Sequence, residues 1–162
     1  MRLPTPGTVL NQHRGESPNT MADIHVDLAG KVALITGGGS GIGRGFALAM
    51  ARAGAGLAVL DIDGDAAQHV AAEVDALGQP AVAHRVDVTD AAAIQAAVDA
   101  TIAALGHIDF VFANAGVLGP ADFLEISPLD WDGVLDVNVK GVAHTCRAVV
   151  PHLMERRAGR IL

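Results

Sequence analysis

The chain has 162 residues, enough for one ordinary domain and too few for two comfortable ones. Eleven basic residues against eighteen acidic leave a net charge of −7 with no basic stripe, which argues against a nucleic-acid partner. Cys146 is the only cysteine, so an intramolecular disulfide is excluded. No apolar run approaches the roughly 18 residues of a spanning helix, and a soluble cytoplasmic protein without membrane contact is expected.

Residues 1–28 contain three prolines and no periodic apolar face, and read as a disordered N-terminal tail without the apolar stretch of a signal peptide. Met21 precedes a plausible domain opening, so translation starting there is an expectation. The remainder, 29–162, reads as one domain. Half of the residues are apolar, aromatics are scarce and tyrosine is absent, so alanine, valine and leucine must build the core.

In chain order, KVALIT (31–36) predicts a buried strand and IGRGFALAMARAG (42–54) a helix stopped by Gly54. LAVLD (57–61) is a second strand, and DAAQHVAAEVDALG (65–78) a helix ended by Gly78. AVAHRVDV (81–88) is a third strand, with Thr89 as the expected cap of a helix running to Leu105. IDFVFANAG (108–116) supplies a fourth strand and its exit. Ser127, Pro128 and Asp130 form a capping box with proline at the first helical position, opening a long helix to about Arg157. AGRIL then begins a fifth strand. Such alternation predicts right-handed crossovers and a parallel sheet covered on both faces. The fold expected is a Rossmann-like, doubly wound α/β sheet, incomplete at about four strands plus the start of a fifth.

TGGGSGIG (36–43) lies between the first strand and the first helix, the setting in which a glycine pattern becomes informative. Unpaired amides at a helix N-terminus attract a pyrophosphate, and glycines at 37, 41 and 43 let the backbone approach it. Asp61, at the end of the second strand and 18 residues beyond Gly43, can accept hydrogen bonds from a ribose 2′-hydroxyl and would repel a 2′-phosphate. Ser40, in place of a basic residue, agrees, so NAD is expected over NADP; Arg44 is the one residue that could reach a phosphate. Asp63 and Asp65 read as helix starters.

TGGGSGIG (36–43), VDVTD (86–90), ANAG (113–116) and DVNVKG (136–141), in this order and spacing, resemble the short-chain dehydrogenase/reductase family of the classical type, from about Asp27 to Leu162. The resemblance implies that Gly37, Ser40, Gly41, Ile42 and Gly43 cradle a pyrophosphate and that Asp61 holds the adenosine ribose. It implies Asp87 and Val88 against the adenine, Asn114, Ala115 and Gly116 along the cofactor, and Val137 or Val139 nearby. Asn138 matches the family's catalytic-site asparagine, part of a water and proton relay towards a lysine. Asparagine is also a poor mid-helix residue, so its place three positions before Gly141 suggests a local kink.

The serine and the YxxxK pair that complete the family's chemistry have no counterpart here. There is no tyrosine, Ser17, Ser40 and Ser127 lie elsewhere, and Lys31 and Lys140 are not in a YxxxK setting. The expected role is the cofactor-binding part of an oxidoreductase acting on an alcohol or ketone, inactive by itself. The alternative is a non-catalytic nucleotide-binding or interaction module; ANAG and DVNVKG together argue against a methyltransferase. No metal site is expected. His69, His84 and His107 read as surface or strand-edge residues, His144 and His152 as packing residues on one helical face, and Cys146 as a small core residue. The outer edge of the fourth strand is expected to be bare, and the helix over 128–157 to offer a surface for a homo-oligomer.

Overall fold

The computed structural model describes residues 26–119 and 122–162; the part of the expected tail up to residue 25, with the Met21 start, lies outside them. β1 (Val32–Thr36) leads to α1 (Gly41–Arg52), β2 (Gly56–Asp61) to α2 (Gly64–Ala76), and β3 (Ala81–Arg85) to α3 (Ala91–Leu105). β4 (Phe110–Phe112) is followed by a short 3₁₀ turn, α4 (Pro128–Leu135), α5 (Val142–Arg156) and β5 (Arg160–Ile161). The sheet order is β3-β2-β1-β4-β5, parallel throughout. The chain therefore reverses direction between β1 and β4, the topological switch at which such sheets bind ligands.

All five residues of β1 are buried, and Ala33, Leu34 and Ile35 alternate between two layers. Ala33 and Ile35 join Leu57, Val59, Ala47 and Val70 beneath α1 and α2. Leu34 faces the other way, with Ala58, Leu60, Ile94, Val98 and Val149, beneath α3 and α5. Each buried Leu, Ile or Val contributes about 1.5–3 kcal/mol, and the small alanines let the helices approach the sheet closely. Leu28, at the end of the expected tail, donates its N–H to Ala53 O and packs against the first of these layers.

Several expectations are corrected. The third strand stops at Arg85 rather than Val88: β2 ends opposite it, at Asp61, and Val86 N–H to Asp61 O is the last bond between the two. Asp90, not Thr89, caps α3, accepting from the N–H groups of Ala92 and Ala93; Thr89 instead turns to Asp87. The long helix is not continuous. A π-helical turn over Asp136–Gly141 separates α4 from α5, so the kink suggested by Asn138 and Gly141 takes the form of a widened turn. The Ser127–Asp130 capping box is present. The outer edge of β4 is not bare, because β5 pairs with it at Phe110 and Val111. Cys146 is half-buried rather than a core residue. No helix among the described residues is long and apolar enough to cross a membrane.

Candidate functional site

The carboxyl ends of β1, β2 and β4, with the loops leaving them, enclose a cleft of about 370 Å³. Gly37, Ser40, Gly41, Ile42 and Gly43 form one wall, Asp61, Asp87 and Val88 the second, and Asn114, Ala115, Gly116 and Val137 the third. Every residue expected to touch a cofactor thus borders one space.

The glycine wall is built more tightly than the need to admit a ligand requires. A Cβ on Gly43 would collide with the carbonyl oxygen of Gly37, and one on Gly37 would lie 2.9 Å from the Cα of Ala115. Gly37 and Gly41 also hold φ of 63° and 51°, where L side chains are strained. At Gly41 alone of these three the space beyond is open. The protein's own packing, more than a ligand, therefore demands glycine at 37 and 43. Ser40 is the N-cap of α1 but makes no capping hydrogen bond, whereas Asp63, Asp90 and Ser127 cap α2, α3 and α4. The first internal bond of α1 is Arg44 N–H to Ser40 O, which leaves the amides of Gly41, Ile42 and Gly43 without an intrahelical acceptor. These amides also carry the positive end of the helix dipole.

Asp61 is fixed by the loop it faces. Its Oδ2 accepts from Gly39 N–H at 2.8 Å and its Oδ1 from Asp63 N–H at 3.0 Å, leaving one lone pair on each oxygen. Asp87 accepts from both the N–H and the hydroxyl of Thr89, and these bonds hold its carboxyl below the usual range. Among the described residues, no basic side chain lines the cleft. Arg44, the residue that could have reached a phosphate, is held by Glu73 through two bonds of 3.0 and 2.6 Å.

On the third wall, Asn114 donates to the carbonyls of Thr36 and Gly37, and Thr36 Oγ1 accepts from Ala115 N–H while donating to Phe112 O. The ends of β1 and β4 are thereby stapled. Asn138 lies just behind this wall. Its Oδ1 accepts from Val117 N–H at 2.8 Å and its Nδ2 donates to Val117 O at 2.9 Å, clamping the segment after ANAG. A Cβ on Gly141 would come within 2.6 Å of Val88, so the π-helical turn presses directly on the second wall. His144 donates from Nδ1 to Val88 O. Val139 is not on the cleft. Ile62, Val86 and Val117 also line it; Val86 opens the VDVTD segment, whereas Ile62 and Val117, which directly follow Asp61 and ANAG, were in no motif.

At the opposite end of the sheet Asp109, only 6% exposed, accepts from Val32 N–H and Arg156 and faces His107 at 2.9 Å and Lys31 at 4.0 Å. Burial opposes its charge, but hydrogen bonds from Val32 and Arg156 and the nearby positive charges outweigh it and hold its carboxyl below the usual range. His107 and His152, read from the sequence as surface and packing residues, both belong to this polar cluster. The sequence carries no local signal for it, because Arg156 and Asp109 stand 47 residues apart.

The sequence model of the short chain dehydrogenase family matches residues 31–162. D-threitol dehydrogenase of Mycolicibacterium smegmatis is 42% identical over 86% of this chain and 54% of its own length. The 7alpha-hydroxysteroid dehydrogenase of Escherichia coli is 39% identical over 83% of the chain and 52% of its own. Among solved structures, NAD⁺-bound xylitol dehydrogenase superposes with a TM-score of 0.80 at 36% identity, covering 83% of this chain and 52% of that one. A 7 alpha-hydroxysteroid dehydrogenase complexed with NADH and 7-oxo glycochenodeoxycholic acid gives 0.79 at 38% identity, covering 85% and 53%. The chain belongs to the short-chain dehydrogenase/reductase family. It spans about half the length of the relatives it matches.

Proposed function

We propose that the cleft binds NAD and that these residues are the cofactor-binding part of an oxidoreductase that moves hydride between a nicotinamide and an alcohol or ketone. The uncapped start of α1, facing open space beside a fixed Asp61, is the observation that carries this reading. A nicotinamide cofactor, when bound, supplies the carbon that gives or takes the hydride. The chain's own residues do the rest. The amides of Gly41, Ile42 and Gly43 bind a diphosphate, with Gly37 and Ser40 beside them. Asp61 accepts from the ribose hydroxyls, and Asp87 and Val88 border the adenine. Asn114, Ala115 and Gly116 flank the cofactor, and Val137 keeps water from that wall.

Asn138 spends one N–H and one Oδ1 lone pair on Val117, which leaves one of each for a water in the family's proton relay. The 162 residues contain no tyrosine to serve as acid or base. By themselves they should therefore run slower than a complete family member by at least about 10²–10⁴-fold. The preference for NAD rests on the Asp61 charge, on Ser40, and on Arg44 being committed to Glu73. The cytosol, a small-molecule alcohol or ketone as substrate, no nucleic-acid or membrane partner, and a second subunit on the 128–157 surface complete the reading. Leu129, Trp131 and Leu135 are exposed on that surface.

Titration calorimetry with NAD⁺ and NADP⁺ tests the reading. NAD⁺ should bind about tenfold more tightly or better, because a like charge faces the 2′-phosphate, and Asp61→Asn should narrow the gap. Equal or tighter binding of NADP⁺ would overturn the NAD preference, and failure of both to bind would overturn the cofactor reading.

A further inference from the structure

Both polar backbone groups of Ile108, a residue with no exposed surface, are satisfied by side chains of α5. Its N–H donates to His152 Nε2 at 3.1 Å, and its carbonyl accepts from Arg156 Nη1 at 2.6 Å. Arg156 also donates to Asp109 Oδ1 at 3.1 Å. An N–H can be accepted only by an unprotonated ring nitrogen, so the proton of the neutral His152 ring lies on Nδ1. A second proton, on Nε2, would set donor against donor and strand a buried amide.

We propose that His152 is an acid-released latch that seats the last turns of α5 on the entrance of β4. The charged groups acting on the ring are Arg156 and Glu155 from its own helix and His107 and Asp109 from the approach to β4, with Lys31 beyond Asp109. α3, packed against α5, buries Ile94, Ala97, Val98 and Thr101 and no charged side chain, the Thr101 hydroxyl being spent on Ala97 O. Burial, with Arg156 and His107, disfavours a charge on the ring more than Glu155 and Asp109 favour one. The latch also bears on β5. The turn into that strand is held by Asp109 and by the neighbour of His152, through Arg160 N–H to Asp109 O and Ala158 N–H to Leu153 O. This inference is independent of the cofactor reading.

The test follows amide exchange at Ile108 by NMR in the full chain between pH 7 and pH 5, relative to Leu34 in β1, alongside the titration of the His152 ring. As His152 takes its proton, the relative protection of Ile108 should fall about three- to tenfold, the worth of one hydrogen bond. In His152→Gln, whose Oε1 accepts at similar reach without titrating, it should change by less than about twofold. His107→Gln should leave the fall in place. The ring nitrogen shifts of wild-type His152 at pH 7 provide a reading that needs no variant, and should report the Nδ1–H tautomer. A pH-independent Ile108 amide, an undiminished fall in His152→Gln, loss of the fall in His107→Gln, or an Nε2–H tautomer would each overturn the proposal.

Discussion

At the carboxyl end of the sheet, the first amides of α1 have no intrahelical acceptor, Ser40 caps nothing, and Asp61 keeps a lone pair free on each oxygen. At the amino end, Asp109 is nearly enclosed, with Val32, Arg156, His107 and Lys31 around it, and Ile108 has both backbone groups satisfied by α5. Both ends hold carboxylates beside strand termini. The difference is where the unused hydrogen-bonding capacity lies. An end that stores capacity is arranged to bind; an end that has consumed it locks elements together. Breaking the first should cost a ligand more than it costs the fold, and breaking the second should do the reverse.

The largest effect is expected where this separation fails. Gly43→Ala drives a Cβ into the Gly37 carbonyl, so it should cost about 3 kcal/mol of stability and remove nucleotide binding. Gly45→Ala, two residues on at an exposed helical position with nothing within 4 Å, should instead stabilise by about 0.5–1 kcal/mol. Urea denaturation of the two variants measures the contrast.

Asp109→Asn should come next, at about 2–3 kcal/mol, because it removes the charge that Arg156 and its neighbours oppose while keeping an acceptor for Val32. Affinity for the nucleotide should stay within about twofold if the two ends are energetically separate. Calorimetry that shows a large loss of affinity would join them.

Acid should act on the locked end and on the β3 edge before it acts on the cleft. Burial lowers the pKa of His84, whose Nε2 has no partner among the described residues, and of His152, so the unfolded chain takes up these protons first. That stability is fully present above the ordinary value of 6.5 and is lost as pH falls from there through the folded values. Asp109 has the opposite chemistry with the same direction. Its contribution is present above 3.8 and is lost as pH falls through its lower folded value. Thermal melts between pH 8 and about pH 3 should decline in two stages, and His84→Gln with His152→Gln should suppress the first.

The smallest contrast is between two caps. Asp90→Ala removes two accepted hydrogen bonds at α3 and should cost about 1 kcal/mol, whereas Ser40→Ala should change stability by less than about 0.5 kcal/mol. Equal costs would mean that Ser40 serves the fold after all.

The parallel order of elements and the glycine-rich loop between β1 and α1 were legible in the sequence, because apolar runs, glycine stops and motif spacing are local signals. The mid-helix distortion was also announced, by Asn138 three positions before Gly141. Other features were not. Thr89 and Asp90 are both good caps, and only the backbone angle entering α3 selects Asp90. The end of β3 at Arg85 is set by where β2 stops, a fact about another strand.

The sequence by itself determined the α/β alternation, the glycine-rich loop pattern, the acidic residue ending the second strand and the absence of tyrosine. These follow from residue chemistry read over a few neighbouring positions. The tertiary structure alone decided that glycine is needed at 43 because of Gly37, that Arg44 is spent on Glu73, and that His152 and Arg156 close over Ile108. Each of the last two depends on groups 29 to 48 residues apart meeting at hydrogen-bond distance, and the first on two backbone segments approaching within a Cβ's width. Separations of that kind are set by the packing of helices on a twisted sheet, which no local pattern encodes.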